Sequence, residues 1–157
     1  MKALISLFFG IITAVSLQAQ DFETKSENPD LEYSTNEFGA HVGATTGMGL
    51  SYRHWFDNTG VQLTFLPFKS NYEELYSIGL SGLYSVNRSK YVHVFGYLGS
   101  HLLAQDGEVN LNVGAGPGFA FGKTVTFNLQ VGYGLYFSEE DYQILPTVEI
   151  GLYYRFR

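Results

Sequence analysis

The chain has 157 residues, a formal net charge of −6 and no run of basic residues, which argues against nucleic acid as a partner. It contains no cysteine, so it has neither a disulfide framework nor a thiol for lipid attachment. Charged residues are 15% of the chain where about 25% is ordinary for a soluble domain, while aromatics reach 17% and glycines number 18, a composition unlike that of most soluble domains.

Lys2 is the only charge before Asp21, residues 3–17 are almost wholly apolar, and Leu17-Gln18-Ala19 offers a cleavage site. Residues 1–19 therefore read as a secretory signal peptide, too short in its apolar run to span a bilayer comfortably. Its removal takes Lys+Arg from 9 to 8 against 15 acids, a net charge of −7. Residues 20–36 hold Asp21, Glu23, Glu27, Asp30 and Glu32 against Lys25, show no periodicity, and read as a flexible acidic leader.

From Glu37 onward the pattern has a period of two. The predicted strands cover residues 37–44, 48–56, 61–68, 75–86, 90–103, 109–121, 124–137 and 147–157. Short turns separate most of them: Thr45-Thr46-Gly47, Asp57-Asn58-Thr59-Gly60, Asn87-Arg88-Ser89 and Gly122-Lys123. Pro67, with no N–H for a ladder, is expected to end regular pairing in the third strand. Residues 69–74 and 105–108 are polar connections, and 138–143 form an acidic loop. Asn87-Arg88-Ser89 has the form of a glycosylation acceptor and is read simply as a turn. Eight strands joined by short connections predict an all-β fold, an eight-stranded antiparallel up-and-down barrel over residues 37–157 with both ends on one side.

The polar face decides which side of the wall faces inward. It carries Gly, Ser, Asn, Thr and Gln, with strand charges limited to Glu37, Arg53, Glu149 and Arg155. A water-facing surface would carry many Lys and Glu. A face of small polar residues with a few pairable charges suits the filled interior of an eight-stranded barrel. The apolar face runs through all eight segments, with Tyr or Phe near strand ends, as aromatic girdles in a membrane require. In the last segment Val148, Ile150, Leu152, Tyr154 and Phe156 share that face. A transmembrane barrel is therefore predicted. A soluble lipocalin-like barrel with an apolar interior is the reverse arrangement.

Ile150-Gly151-Leu152-Tyr153-Tyr154-Arg155-Phe156, the glycine-rich Gly114-Ala115-Gly116-Pro117-Gly118 and the signal peptide together resemble the small outer-membrane β-barrel proteins of Gram-negative bacteria, the OmpA/OmpX type and related porin-like families. The resemblance implies location in the cell outer membrane, among its lipids, as a monomer. It also implies that the barrel-assembly machinery reads the final strand, with Leu152, Tyr154 and Phe156 as the terminal assembly signal.

Chemistry is sparse. The lumen candidates include His41, Trp55, Gln62, His93, Tyr97, His101, Asn110, Asn112, Asn128, Gln130 and Tyr153 besides the charged four. Glu37, Arg53, Glu149 and Arg155 are expected to form a lumen polar network, since buried charges must pair. His93 and His101 lie eight residues apart on one strand, about 26 Å at roughly 3.3 Å per residue, too far to share a metal. Gly118 to Thr124 lacks the spacing and the following helix of a phosphate loop. His54 faces outward near a strand end, where some barrels of this size place a lipid-modifying histidine, but spacing fixes no serine or acid beside it. The expectation is a structural or surface protein or a very narrow pore, without catalysis, cofactor or metal. A lipid-modifying enzyme and a lipocalin-like binding protein are the alternatives.

Overall fold

The alternating segments form eight strands: β1 (Ser34–Gly43), β2 (Gly47–Phe56), β3 (Thr59–Lys69), β4 (Glu74–Arg88), β5 (Val92–Gln105), β6 (Glu108–Phe121), β7 (Val125–Phe137) and β8 (Tyr142–Phe156). The structure is a computed structural model that describes residues 34–69, 74–105, 108–137 and 141–156. The expected signal peptide and residues 20–33 of the expected leader lie outside the described residues. Consecutive strands pair antiparallel, and β1 pairs with β8 as well as with β2, which closes the sheet into an up-and-down barrel. The start of β1 and the end of β8 share one end, here the terminal end, with the β2–β3, β4–β5 and β6–β7 turns. The other four connections lie at the opposite, loop end.

Polar side chains turn inward and apolar ones outward. Glu37, Arg53, Gln62, Thr64, Thr126, Asn128, Gln130 and Glu149 are completely buried. On the outer wall of β8, Val148, Leu152 and Tyr154 are 71%, 57% and 56% exposed. Outward aromatics gather toward both ends of the wall. Phe38, Tyr52, Phe56, Tyr84, Phe121, Tyr154 and Phe156 lie toward the terminal end, and Tyr76, Tyr133, Phe137 and Tyr142 toward the loop end.

Several boundaries move from the sequence expectation. β1 opens at Ser34, because Ser34, Thr35 and Asn36 pair with Phe56, Trp55 and His54 of β2. β8 begins at Tyr142, since the upper half of β7 supplies a ladder for residues 142–146. Pro67 does not end β3. It lies opposite Tyr76 of β4, beyond the point where β2 stops pairing, so its missing N–H disrupts no second ladder. Asn87 and Arg88 belong to β4, which bulges between Ser85 and Asn87. The extra residue resets the alternation and turns Arg88 inward.

Candidate functional site

The lumen falls into two polar clusters. At the terminal end, Glu37 sits between two arginines. Its Oε1 accepts from Arg155 Nε at 2.9 Å and Nη2 at 2.7 Å, and its Oε2 accepts from Arg53 Nη1 at 3.3 Å. Register produces this directly, because Glu37 is the cross-strand partner of Arg53 on one side and of Arg155 on the other. Arg53 also donates from Nε and Nη2 to Gln62 Oε1, at 3.2 and 2.6 Å. Its guanidinium lies 4.4 Å from the Tyr153 ring centroid and 5.3 Å from that of Phe95. Aromatic rings fill the space below. Trp55 packs against His93 and Phe95, with Arg88 5.1 Å from its ring centroid. His93 Nε2 is 2.9 Å from Ser85 Oγ.

Glu149 does not join this group. It lies six residues from Arg155 on the same strand, about 20 Å along β8. Its partners come from the connection between β1 and β2, which turns into the barrel. Thr45 donates to Glu149 Oε1 from its backbone N at 2.8 Å and its Oγ1 at 2.7 Å, and Thr46 Oγ1 donates to Oε2. The sequence reading placed Thr45-Thr46-Gly47 as a short turn between strands, yet Thr45 and Thr46 have no exposed surface. Glycines on the surrounding strands make the room. A Cβ on Gly99 would lie 2.7 Å from Thr46 Cγ2, and one on Gly134 2.6 Å from Thr45 Cγ2. A Cβ on Gly114 would overlap Thr45 Oγ1.

Histidines lock the inserted loop from two sides. His101 Nδ1 donates to Ala44 O at 2.9 Å, and Asn112 Nδ2 donates to the same oxygen at 3.2 Å. That sets the tautomer: His101 Nε2 accepts from Ser77 Oγ at 2.8 Å, and Ser77 Oγ accepts from Met48 N at 3.0 Å. His41 Nε2 is 2.6 Å from Thr46 Oγ1 and 3.6 Å from Glu149 Oε2.

These groupings contain hydroxyl, imidazole and carboxylate, the parts of a nucleophilic triad, in the wrong order. A triad needs the carboxylate on the far nitrogen of the histidine. Here Glu149 binds the Thr46 hydroxyl itself, and His41 Nδ1 has no partner among the described residues. All three side chains are fully buried, away from any substrate. His54, on the outer wall, has Asn36 Oδ1 2.7 Å from its Nδ1 and the Phe56 ring at 4.2 Å, with no acid or serine bonded to it among the described residues. Among the described residues no group of three or more His, Asp and Glu could hold a metal ion.

Of the other lumen candidates, His41, Trp55, Gln62, His93, Tyr97, His101, Asn112, Asn128, Gln130 and Tyr153 are buried. The side-chain amides of Asn128 and Gln130 have no partner among the described residues. Asn110 is exposed, above the inserted loop. Leu152, Tyr154 and Phe156 lie on the outer wall. The sequence reading missed Thr45, Thr46 and Arg88 as interior groups. The glycines at 99, 114 and 134, aligned at one level, were the signal for the first two.

No family model matches the chain, and no curated protein matches it. Among solved structures it is similar to the N-terminal β-barrel domain of Pseudomonas aeruginosa OprF, at 12% identity and a TM-score of 0.50, covering 80% of this chain and 98% of that one. The Yersinia pestis outer membrane protein Ail aligns at 16% identity over 78% of this chain and 98% of that one, with a TM-score of 0.38. Neisserial surface protein A aligns at 15% identity over 78% of this chain and 92% of that one, with a TM-score of 0.35. The OprF likeness is one of fold: both are small β-barrels.

Proposed function

We propose that this protein is an integral barrel of the Gram-negative outer membrane, a closed structural or surface component without catalysis. The observation that carries the reading is the inverted wall. Charged and amide side chains are sealed inside, and Leu, Val, Ile and aromatic side chains cover the outside of all eight strands. In water such a wall would be a continuous apolar surface far larger than soluble monomers expose. In lipid it is the surface the bilayer requires, and barrel closure leaves no unpaired backbone along the paired wall.

A closed lumen is supported by the chain itself. Side chains of Arg53, Trp55, Phe95 and Tyr153 pack across the terminal end, and Thr45 and Thr46 block the interior below the loop end. Eight strands leave an interior that side chains can fill. Placing the chain start in the periplasm puts the loop end outside the cell. Leu152, Tyr154 and Phe156 then present an apolar final strand to the barrel-assembly machinery.

Fractionation followed by electrophoresis of unheated and boiled samples in detergent tests the reading. An outer-membrane protein whose unheated form migrates differently supports it. A protein soluble in the periplasm without detergent, with no shift, refutes it. Current through planar bilayers separates a closed barrel from a narrow pore.

A further inference from the structure

Above the inserted Thr45–Thr46 loop the barrel interior changes character. Below it the inward positions are mostly polar or aromatic. Carried further along the strands, the same alternation brings Leu66 and Phe68 of β3, Leu75 of β4, Leu103 of β5, Tyr136 of β7 and Leu145 of β8 to the inner face. Phe68 and Leu145 are 48% and 46% exposed, and the other four are half-buried. Phe68 lies opposite Leu75, and Ser77 separates Leu66 from Leu103, so apolar groups line the β3–β5 arc. A Cβ on Gly134 would sit 2.9 Å from the Tyr136 ring and 2.6 Å from Thr45 Cγ2, so Tyr136 leans over the loop. The result is a cup with the loop as its floor, apolar on the β3–β5 arc and at Tyr136 and Leu145, with Asn110 of β6 and Gln143 of β8 as polar inner-face positions.

The wall of the cup is incomplete. β1 pairs with β8 only as far as Val42 and Ile150, and β2 pairs with β3 only as far as Leu50 and Phe65. Residues 142–149 of β8 and 66–69 of β3 therefore flank a notch that no described strand fills. Charge marks the lip. Glu74, Glu108 and Asp141 stand exposed at strand ends around it, while the only Lys or Arg in the sequence of these hairpin tips is Lys69.

We propose that the cup binds a single-chain cationic amphiphile. Its aliphatic chain lies against Leu66, Leu75, Leu103 and Leu145, and its cationic head rests among the lip carboxylates of Glu108 and Asp141. An anionic amphiphile of the same length has the same apolar match and meets repulsion at the lip, so the carboxylates set the specificity. The notch supplies entry from the side. The inference goes beyond the closed-barrel reading and rests on it only for the medium of the test.

The test is a titration of leucine-methyl-labelled protein in lipid nanodiscs, read by NMR, with dodecyltrimethylammonium below its micelle concentration. Dodecanoate and tetramethylammonium serve as controls. Saturable shifts at Leu66, Leu75, Leu103 and Leu145, with affinity for the cation about tenfold above that for the anion, are expected from two nearby carboxylates. Glu108→Lys, at an exposed tip, removes most of that preference. Leu103→Asn weakens both ligands, and the heat-dependent gel shift reports that each variant is folded. Equal affinity for the two charges overturns the proposal. So do shifts confined to the outward Leu63, Leu80 and Leu152, which would show partition into the bilayer, and so does a response that never saturates. If the barrel proves soluble without lipid, the same titration in buffer tests the cup separately.

Discussion

Replacing Glu149 by glutamine should release the loop that enters the barrel. The carboxylate accepts three hydrogen bonds from that loop, one from the Thr45 backbone and two from hydroxyls. A hydrogen bond to a charged group contributes about 1.5–3 kcal/mol and a neutral one about 0.5–1.5 kcal/mol. Glutamine keeps the shape and one acceptor oxygen but loses the charge and the second acceptor. The net bias against loop opening should fall by roughly 2–3 kcal/mol, because the released donors regain water when the loop leaves. Hydrogen exchange at the Thr45 amide, followed by NMR in nanodiscs, reads this opening directly. The rate should rise about 30- to 150-fold, at a factor of ten per 1.4 kcal/mol. Amides in the β2–β3 ladder, such as Leu63, should keep their protection. A Thr45 rate within threefold of the parent, in a variant that still folds, would show that packing against the glycines holds the loop and that the Glu149 bonds are incidental.

Gly114→Val should also expel the loop, since any Cβ there overlaps Thr45 Oγ1. The expected signs are a fast-exchanging Thr45 amide and a rise in bilayer conductance, and a silent, protected variant contradicts the fit. Glu37→Gln should lower stability by about 3–5 kcal/mol, because it strands two guanidinium groups. Arg155→Gln should cost about 1–2 kcal/mol, as that side chain is already 24% exposed, and the two urea midpoints in vesicles test the order. Leu152→Arg should cost about 2–4 kcal/mol if β8 crosses the bilayer there, and Phe156→Arg about 0–1 kcal/mol near the interface. Equal, small effects in a vesicle unfolding series would show that this face does not meet lipid.

The barrel was legible because its signal repeats. Every strand alternates, and no helical period competes with it, so eight weak local patterns agree on one closed sheet. Non-repeating features escaped. The Ser85/Asn87 bulge shifts one residue, and nothing in the local composition distinguishes it from a turn. The extension of β8 through Pro146 depends on a partner strand that the alternation rule does not consult. Glu149 sits on the polar face like Glu37, and face alone cannot separate two carboxylates some 20 Å apart. Its partners are reached by a turn whose sequence, Ala44-Thr45-Thr46-Gly47, fits solvent equally well. Only the glycine layer across β5, β6 and β7 breaks that degeneracy, and it is visible once the register is known.

The two interior clusters do different jobs, and the closure of the sheet explains why. β1 and β8 are the most distant strands in sequence, and Glu37 meets Arg155 across 118 residues. Joining such ends carries the largest loop-closure entropy in the fold, and in a bilayer the hydrophobic face would offer no help in choosing the register, since lipid would solvate one outward Leu as well as another. A slip of two residues would keep every apolar group outside. It would, however, remove Glu37 from Arg155 and leave buried charges unpaired. Glu37 also holds Arg53 of β2, so one carboxylate reads the register of β1 against both neighbours. Glu149 performs little such alignment, because its three hydrogen-bond donors come from a loop and its one contact on a facing strand is the His41 imidazole 3.6 Å away. Its charge organises what enters the barrel, and that of Glu37 determines how the barrel closes.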